Sequence, residues 1–461
     1  MFNKSVYQFR REKLKQRLGK GLVLLLGNED SSMNYKDNLY PFRQDSNFLY
    51  FFGMDRPGLV ALIDIDHDQE VVFGNDLTLD DIVWTGPQPS LAQQAEPAGI
   101  TDTRPSASLP AELVGARGAG RTIHFLPPYR PENVLKLSAW MGFALGAVRG
   151  HASVPLIMAV IAQRSVKSTE EVAQIEEAVD ITAAMHLAAI RGARDGMTEA
   201  QLAGVLHGIA ISSGGNLSFP IILTVNGQVL HNHYGNTVMK NGQIALCDSG
   251  AENGMHYAGD MTRTFPVGKR FSTLQREMYD IVLGAQEAAV AALKPGVLFR
   301  DVHALASEKL VEGLKLAGVM KGDPAEAVSA GAHTMVFQCG LGHMMGLDVH
   351  DMEDLGEEYV GYTEELKKSK EFGWKFLRLA RALEPGFVVT IEPGLYFIPE
   401  LIDRWGAEKK YADFINYDKL AALRHFGGIR IEEDLLITAE GSRLLGKPLA
   451  KTAAAVEELR G

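Results

Sequence analysis

Four acidic residues lie in runs where an acid is expensive. Asp248 ends the alternating run that starts at Gln243, and Asp260 opens a second in which Asp260, Thr262 and Thr264 share one strand face. Glu392 follows the apolar Val388-Val-Thr-Ile391, and Glu432 follows Ile429-Arg-Ile431. An unpaired charge in such strands costs on the order of several kcal/mol, so the set demands a compensating cation. His343, in the glycine-rich Gly340-Leu-Gly-His343, adds a nitrogen ligand. Carboxylates with one imidazole suit hard to borderline divalent ions (Mn, Co or Zn), whereas a structural zinc site would use thiolates. Two such ions roughly 3.5 to 4 Å apart would share bridging acids and activate one water for hydrolysis.

Singly, each residue has a plain reading. A strand-end aspartate is usually a turn residue, a lone histidine usually packs in a core or sits on the surface, and Glu432 beside Glu433 and Asp434 reads as a solvated edge. Jointly the plain reading fails, because ordinary packing calls for no such set of buried acids. The two aspartates belong to a hairpin. A strict two-residue turn at Asn253-Gly254 would pair Asp260 with Cys247 and put the aspartates on opposite faces. An odd loop or bulge would set Asp248 opposite Asp260, and that extra residue is expected.

The elements that must position these groups are also legible. Ser168-Thr-Glu-Glu171, Thr198-Glu-Ala-Gln201 and Ser272-Thr-Leu-Gln275 are capping boxes that open helices, the first running to about Arg191 and the third to about Leu293. Phe299 to Leu316 gives a further helix. Strand patterns lie at Ile221 to His233, Gln243 to Phe265, Phe387 to Phe397 and Ile429 to Ile437. Helix, helix, sheet thus appears twice, as in an internally duplicated α+β domain. Before it, β-rich runs at Leu22 to Leu26, Val60 to Ile65, Val71 to Phe73 and Thr122 to Phe125 alternate with helical stretches such as Glu132 to Met141. That reads as a separate α/β domain, with residues 1–160 forming the first domain and 161–461 the second. The charged stretch Glu353 to Lys375 reads as a surface insertion.

At 461 residues the chain exceeds what one hydrophobic core usually serves, and 46% apolar with 22% charged residues is ordinary globular composition. A net charge of −11 with no basic block leaves no footprint for nucleic acid or an anionic membrane. Met1 to Gln16 lacks a signal-peptide core, so a cytoplasmic protein is expected. Cys247 and Cys339 form no disulfide framework.

Taken in order, Asp248, the run Asp260-Met-Thr-Arg-Thr-Phe-Pro266, Gly342-His343 through Val349-His350-Asp351, Thr390-Ile-Glu392-Pro-Gly394 and Gly428-Ile-Arg-Ile-Glu432 resemble the five metal-ligand motifs of the pita-bread metallopeptidases. Aminopeptidase P and prolidase are the nearest groups. Phe42-Arg-Gln-Asp-Ser-Asn-Phe-Leu-Tyr50 is similar to the signature of their N-terminal domain, so the resemblance spans almost the whole chain. It implies an α/β N-terminal domain of the creatinase and aminopeptidase P type, followed by a pita-bread catalytic domain with internal pseudo-two-fold duplication. It also implies two divalent metal ions, Mn first, with Co or Zn as alternatives. Asp248 would hold one ion, Asp260 and Glu432 would bridge both, and His343 and Glu392 would hold the other.

The implied reaction is removal of an N-terminal residue from in front of proline, on small peptides with proline second. Glu392 would shuttle a proton to the leaving nitrogen. His233, in Leu230-His-Asn-His-Tyr234, and His350 match substrate-side histidines, and Arg430 would orient the Glu432 carboxylate. Cys339 stands where the family usually has a third such histidine, and a thiol carries no positive charge there. His333 is too far along the chain to replace it. Arg378 aligns with an arginine that in prolidases clamps the free carboxylate of a dipeptide, so a strict dipeptidase is the alternative activity, and a plain surface arginine on a helix is the bland one. A dimer or tetramer is implied, with Trp84 a candidate wall of a shared entrance and a core tryptophan the commoner case. A non-catalytic pita-bread binding module and metal-free creatinase-like chemistry are disfavoured by the filled ligand positions, and a Cys339 thiol hydrolase by the lack of any feature that would activate a thiolate.

Overall fold

The computed structural model describes all 461 residues, which form two compact units: residues 1–164 with 354–359, and residues 165–353 with 360–461. In the first, strands β1 (Leu22–Leu26), β2 (Val60–Asp64), β3 (Gln69–Phe73), β4 (Asp102–Arg104) and β5 (Ile123–Phe125) make one sheet in the order β4-β3-β2-β1-β5. Leu22, Leu24, Val60, Leu62, Val71 and Phe73 alternate onto one face and pack against Leu109, Leu113, Leu137 and Met141, as a period-two pattern requires. Strand β4 has no sequence signature, being a three-residue polar edge held by parallel pairing with β3. Trp84 is no core residue: it is 87% exposed on the short helix Leu79–Thr85, which buries none of its side chains.

In the second unit, helices α1 (Thr169–Gly192), α2 (Glu199–Ser212) and α3 (Thr273–Ala292) each start at a closed capping box on Ser168, Thr198 and Ser272. Helix α4 (Phe299–Leu316) has no side-chain cap. Its first N–H groups donate instead to the carbonyls of Arg381 and Ala380, at 3.1 and 3.2 Å, which satisfies orphaned donors without a local sequence signal. Strands β6 (Ile222–Thr224), β7 (Ile244–Ser249) and β8 (Met261–Pro266) form an antiparallel sheet in the order β8-β7-β6. After α3 and α4 come β9 (Val388–Ile391), β10 (Gly394–Tyr396), β11 (Gly428–Arg430), β12 (Glu433–Ile437) and β13 (Ser442–Leu444), paired as β9-β12-β13 and β10-β11. Two helices and a three-stranded antiparallel sheet therefore occur twice.

The hairpin that carries the aspartates has an odd loop. Asn253 N–H donates to Tyr257 O at 3.0 Å and His256, at φ 65°, makes the left-handed step, the geometry of a three-residue connection. Asp248 is paired with Thr262, not with Asp260. The aspartates share a face as expected, but they are diagonal rather than directly opposed. Diagonal positions are about 7–8 Å apart and direct ones about 5 Å, so the offset leaves room between carboxylates.

The stretch from Glu353 to Lys375 is not a plain surface insertion. Val360, Gly361 and Tyr362 are buried, and residues 354–359 belong to the first unit. No single helix is long and apolar enough to cross a membrane.

Candidate active site

Backbone pairing brings the acids together before any side-chain contact is considered. Strand β8 lies beside the β11 to β12 crossing: Glu432 N–H donates to Thr262 O at 3.1 Å, and Arg430 N–H donates to Thr264 Oγ1 at 3.2 Å. The His343 segment runs along β9, where Thr390 N–H donates to His343 O at 3.0 Å and Glu392 N–H to Leu341 O at 2.8 Å. A side chain at Gly342 would meet Thr390 O at 2.0 Å, so only glycine permits that approach.

The result is one cavity of roughly 220 Å³ lined by Asp248, Asp260, His343, Glu392 and Glu432, together with His231, His233, Cys339, His350, Arg378 and Arg430. Ligand atoms of Asp260, His343 and Glu432 lie within 4.8 Å of one another. His343 Nε2 is 3.4 Å from Asp260 Oδ2 and 3.6 Å from Glu392 Oε1. Its Nδ1 donates to Met344 O at 3.0 Å, which leaves Nε2 unprotonated and aimed at the acids, the tautomer a metal ligand needs.

The acids are held as well as gathered. Arg430 Nη2 donates to Asp248 Oδ2 at 2.5 Å, its Nη1 to Tyr396 Oη at 2.8 Å and its Nε to Thr262 Oγ1 at 3.0 Å. Thr262 Oγ1 donates to Glu432 Oε2 at 2.7 Å. Arg430 thus grips Asp248 directly and is joined to Glu432 through the Thr262 hydroxyl. Asp260 and Glu432 are pushed well above the ordinary carboxylate range, by burial first and by neighbouring acids second, and burial raises Glu392 against the opposing influence of His343 and Arg430. Oδ1 of Asp248 and Oδ1 of Asp260 are buried without any hydrogen-bond partner. Carboxylates that repel one another, with orphaned oxygens turned inward, are the donor set a divalent cation fits.

The remaining expected residues separate. His350 packs edge-on to His343, with ring centroids 4.4 Å apart, and burial lowers its pKa to about 4. His233 lines the cavity with Nδ1 3.3 Å from Ile221 O. His231, which the sequence reading passed over, lines it too. Desolvation and the charges of Arg430 and Arg378 lower its pKa, and the doubled histidine in Leu230 to Tyr234 was the available signal. The Cys339 thiol is pushed up to about 12 by burial and by Glu392, and it lies 4.0 Å from Tyr396 Oη. That is a neutral wall. His333 does not replace it, being buried against His303 and Trp374. Arg378 is in a non-helical segment and lines the cavity, while Trp84 belongs to the other compact unit.

Known families match both parts of the chain. Residues 173–439 match metallopeptidase family M24, and residues 7–124 match the aminopeptidase P N-terminal domain. The chain belongs to metallopeptidase family M24. This M24 chain is 31% identical to an Escherichia coli Xaa-Pro aminopeptidase over 99% of its own length and 98% of the relative's. It is 29% identical to the human Xaa-Pro dipeptidase, covering 96% and 90% of the two chains. Solved structures of Escherichia coli aminopeptidase P, one with the inhibitor Pro-Leu and one zinc-substituted with product, each superpose with a TM-score of 0.81 at 28% identity, over 100% of this chain and 98% of theirs. The M24 fold is therefore the pita-bread type behind an aminopeptidase P N-terminal domain, and the enzyme is a metallopeptidase.

Proposed function

We propose that the enzyme hydrolyses the peptide bond before proline, releasing the N-terminal residue of small peptides. The supporting observation is the buried convergence of Asp248, Asp260, His343, Glu392 and Glu432 on one cavity, in a chain whose relatives carry Xaa-Pro peptidase names. Those five side chains would hold two divalent ions, Mn first. With Arg378 engaged by Glu353, four carboxylates against the Arg430 guanidinium leave three negative charges. One divalent ion leaves one of them unmatched, whereas two leave a single positive charge suited to a polar substrate group. When bound, such ions polarise a carbonyl and lower the pKa of water.

The protein's own residues do the rest. Glu392, with an 18% exposed side chain, would carry the proton to the proline nitrogen. Arg430 and Thr262 keep Asp248 and Glu432 in place. His231 or His233, with His350, contacts the substrate backbone, and Cys339 supplies a neutral wall. Arg378 in the same cavity supports the dipeptidase alternative, in which it clamps a free carboxylate. A cytoplasmic homo-oligomer, dimer or tetramer, completes the reading, with exposed Trp84 as the candidate wall of a shared entrance.

The test is hydrolysis of Ala-Pro and Ala-Pro-Ala by purified, Mn-loaded enzyme with and without chelator. Cleavage of both, abolished by chelator, supports aminopeptidase-type activity. Cleavage of the dipeptide alone selects the dipeptidase, and cleavage of neither overturns the proposal.

A further inference from the structure

Glu353 has no place in the metal cluster, yet it stands at its margin with two partners. Its Oε2 is 2.6 Å from His350 Nδ1 and 3.4 Å from Arg378 Nε. All three side chains are partly exposed, with relative values of 39% for Glu353, 33% for His350 and 30% for Arg378. The group therefore sits at the edge of the cavity rather than sealed beneath it.

We propose that Glu353 is a positioning residue: its carboxylate, backed by Arg378, fixes the Nδ1–H tautomer of His350 and presents that ring's Nε2 to the substrate cavity. The argument begins with donors and acceptors. An ionised carboxylate only accepts, so a contact of 2.6 Å requires the hydrogen to be on His350 Nδ1. The hydrogen bond to His350 and the charge of Arg378 hold Glu353 well below the usual carboxylate range, at about 2, which keeps it an acceptor. A base oriented by a third group is a recurring arrangement in catalysis.

The three residues are also fixed by their backbones. Glu353 N–H donates to His350 O at 3.2 Å. Asp351, between them, is locked by a buried ion pair to Lys167 at 2.7 Å, and its N–H donates to Met344 O at 2.9 Å. On the Arg378 side, Leu377 O accepts from Tyr362 Oη at 2.6 Å and Ala380 N–H donates to Gly361 O at 2.8 Å. A side chain at Gly361 would meet Arg378 O at 1.9 Å, so glycine is what lets these segments close up. The Ala380 and Arg381 carbonyls then cap α4.

The consequence for substrate length rests on the proposed Xaa-Pro activity. With Arg378 serving Glu353, a free carboxylate after proline earns no special preference, and dipeptides and longer peptides share the same dependence on the unit.

The experiment uses the full-length chain as E353A, E353Q, E353D and R378M, with thermal melts to confirm folding. On Ala-Pro and Ala-Pro-Ala with Mn, E353A is expected to lower kcat about tenfold on both substrates with KM within about twofold, E353Q and E353D to recover part of it, and R378M to lower kcat about threefold on both. In a second arm, histidine-selective 15N NMR of the metal-free protein identifies the His350 nitrogens by their loss in H350N. Wild type is expected to show a protonated Nδ1 and bare Nε2, and E353A a tautomer mixture. An unchanged tautomer in E353A overturns the proposal. So does an R378M or E353A effect confined to the KM of Ala-Pro, which would make the pair a carboxylate site. If wild type cleaves neither peptide, the Xaa-Pro reading fails while the NMR arm still decides the role of Glu353.

Discussion

Glu432 and Glu433 are adjacent in sequence and almost equally sealed, at 2% and 3% exposed, but the surroundings on their two sides are inverted. Glu433 meets one guanidinium, Arg263, at 2.5 Å, and that arginine also donates to the carbonyls of Thr262, Glu432 and Ala450. The Glu433 charge is matched there by one guanidinium. On the other side, Glu432 faces Asp260, Glu392 and Asp248 with only Arg430 as a counter-charge, and its carboxyl is driven upward. The same residue type, one position apart, is a structural ion pair on one side and a member of a cluster of like charges on the other. Burial alone therefore does not mark a functional acid; a local excess of like charge does.

The comparison is broken most directly by neutralising each acid in turn. Glu432→Gln is expected to lower kcat/KM on Ala-Pro by about a thousandfold or more, roughly 4 kcal/mol. The same change should leave the metal-free protein at least as stable in urea as wild type, because it removes a repelling charge. A metal-free variant that melts well below wild type would place Glu432 with Glu433 as a structural acid.

Next in size, Glu433→Ala strands the buried Arg263 charge and is expected to cost about 3–5 kcal/mol in urea unfolding, by the same amount with or without Mn. A loss that Mn rescues would merge the two sides.

The pH dependence of the metal-free protein sharpens the contrast further. Asp260 and Glu432 have raised pKa values in the folded state, so the folded chain binds more protons than the unfolded one once pH exceeds the ordinary carboxylate range. Stability should therefore be full at low pH and fall as pH rises toward the raised folded values. Mn should flatten the slope, Glu432→Gln should reduce it and Glu433→Ala should preserve it. A metal-free stability that rises through this window would contradict the acid surplus.

Smallest in effect, Thr262→Val removes the hydroxyl that joins Arg430 to Glu432. A loss of about tenfold in Mn affinity is expected by calorimetry, with the fold intact.

Much of this arrangement was legible. The capping boxes at Ser168, Thr198 and Ser272 close as written, because an N-cap hydroxyl and an N3 acid or amide satisfy each other within four residues. Strand β1 and helix α4 have the ranges their periodicity gave. The five residues proposed as ligands do share one cavity. What escaped reading was set by partners distant in sequence. Arg430 reaches Asp248 across 182 positions, Thr262 reaches Glu432 across 170, and β4 exists only because β3 accepts it. Glu353 lay inside a charged stretch that read as solvated, and nothing local distinguishes it from Glu357 or Glu358.

By itself the sequence determined which residues are too polar for their strands, and hence that cations belong among them. The parity of the aspartate hairpin was left to its loop, since one residue more or fewer there exchanges the two faces. Tertiary structure alone decided that the aspartates stand diagonally, that Thr262 relays Arg430 to Glu432, and which neighbour each half of the Glu432-Glu433 pair receives. Periodicity is a property of one backbone and is written locally, whereas the sign of the charge a buried acid meets depends on which distant segment packs against its face.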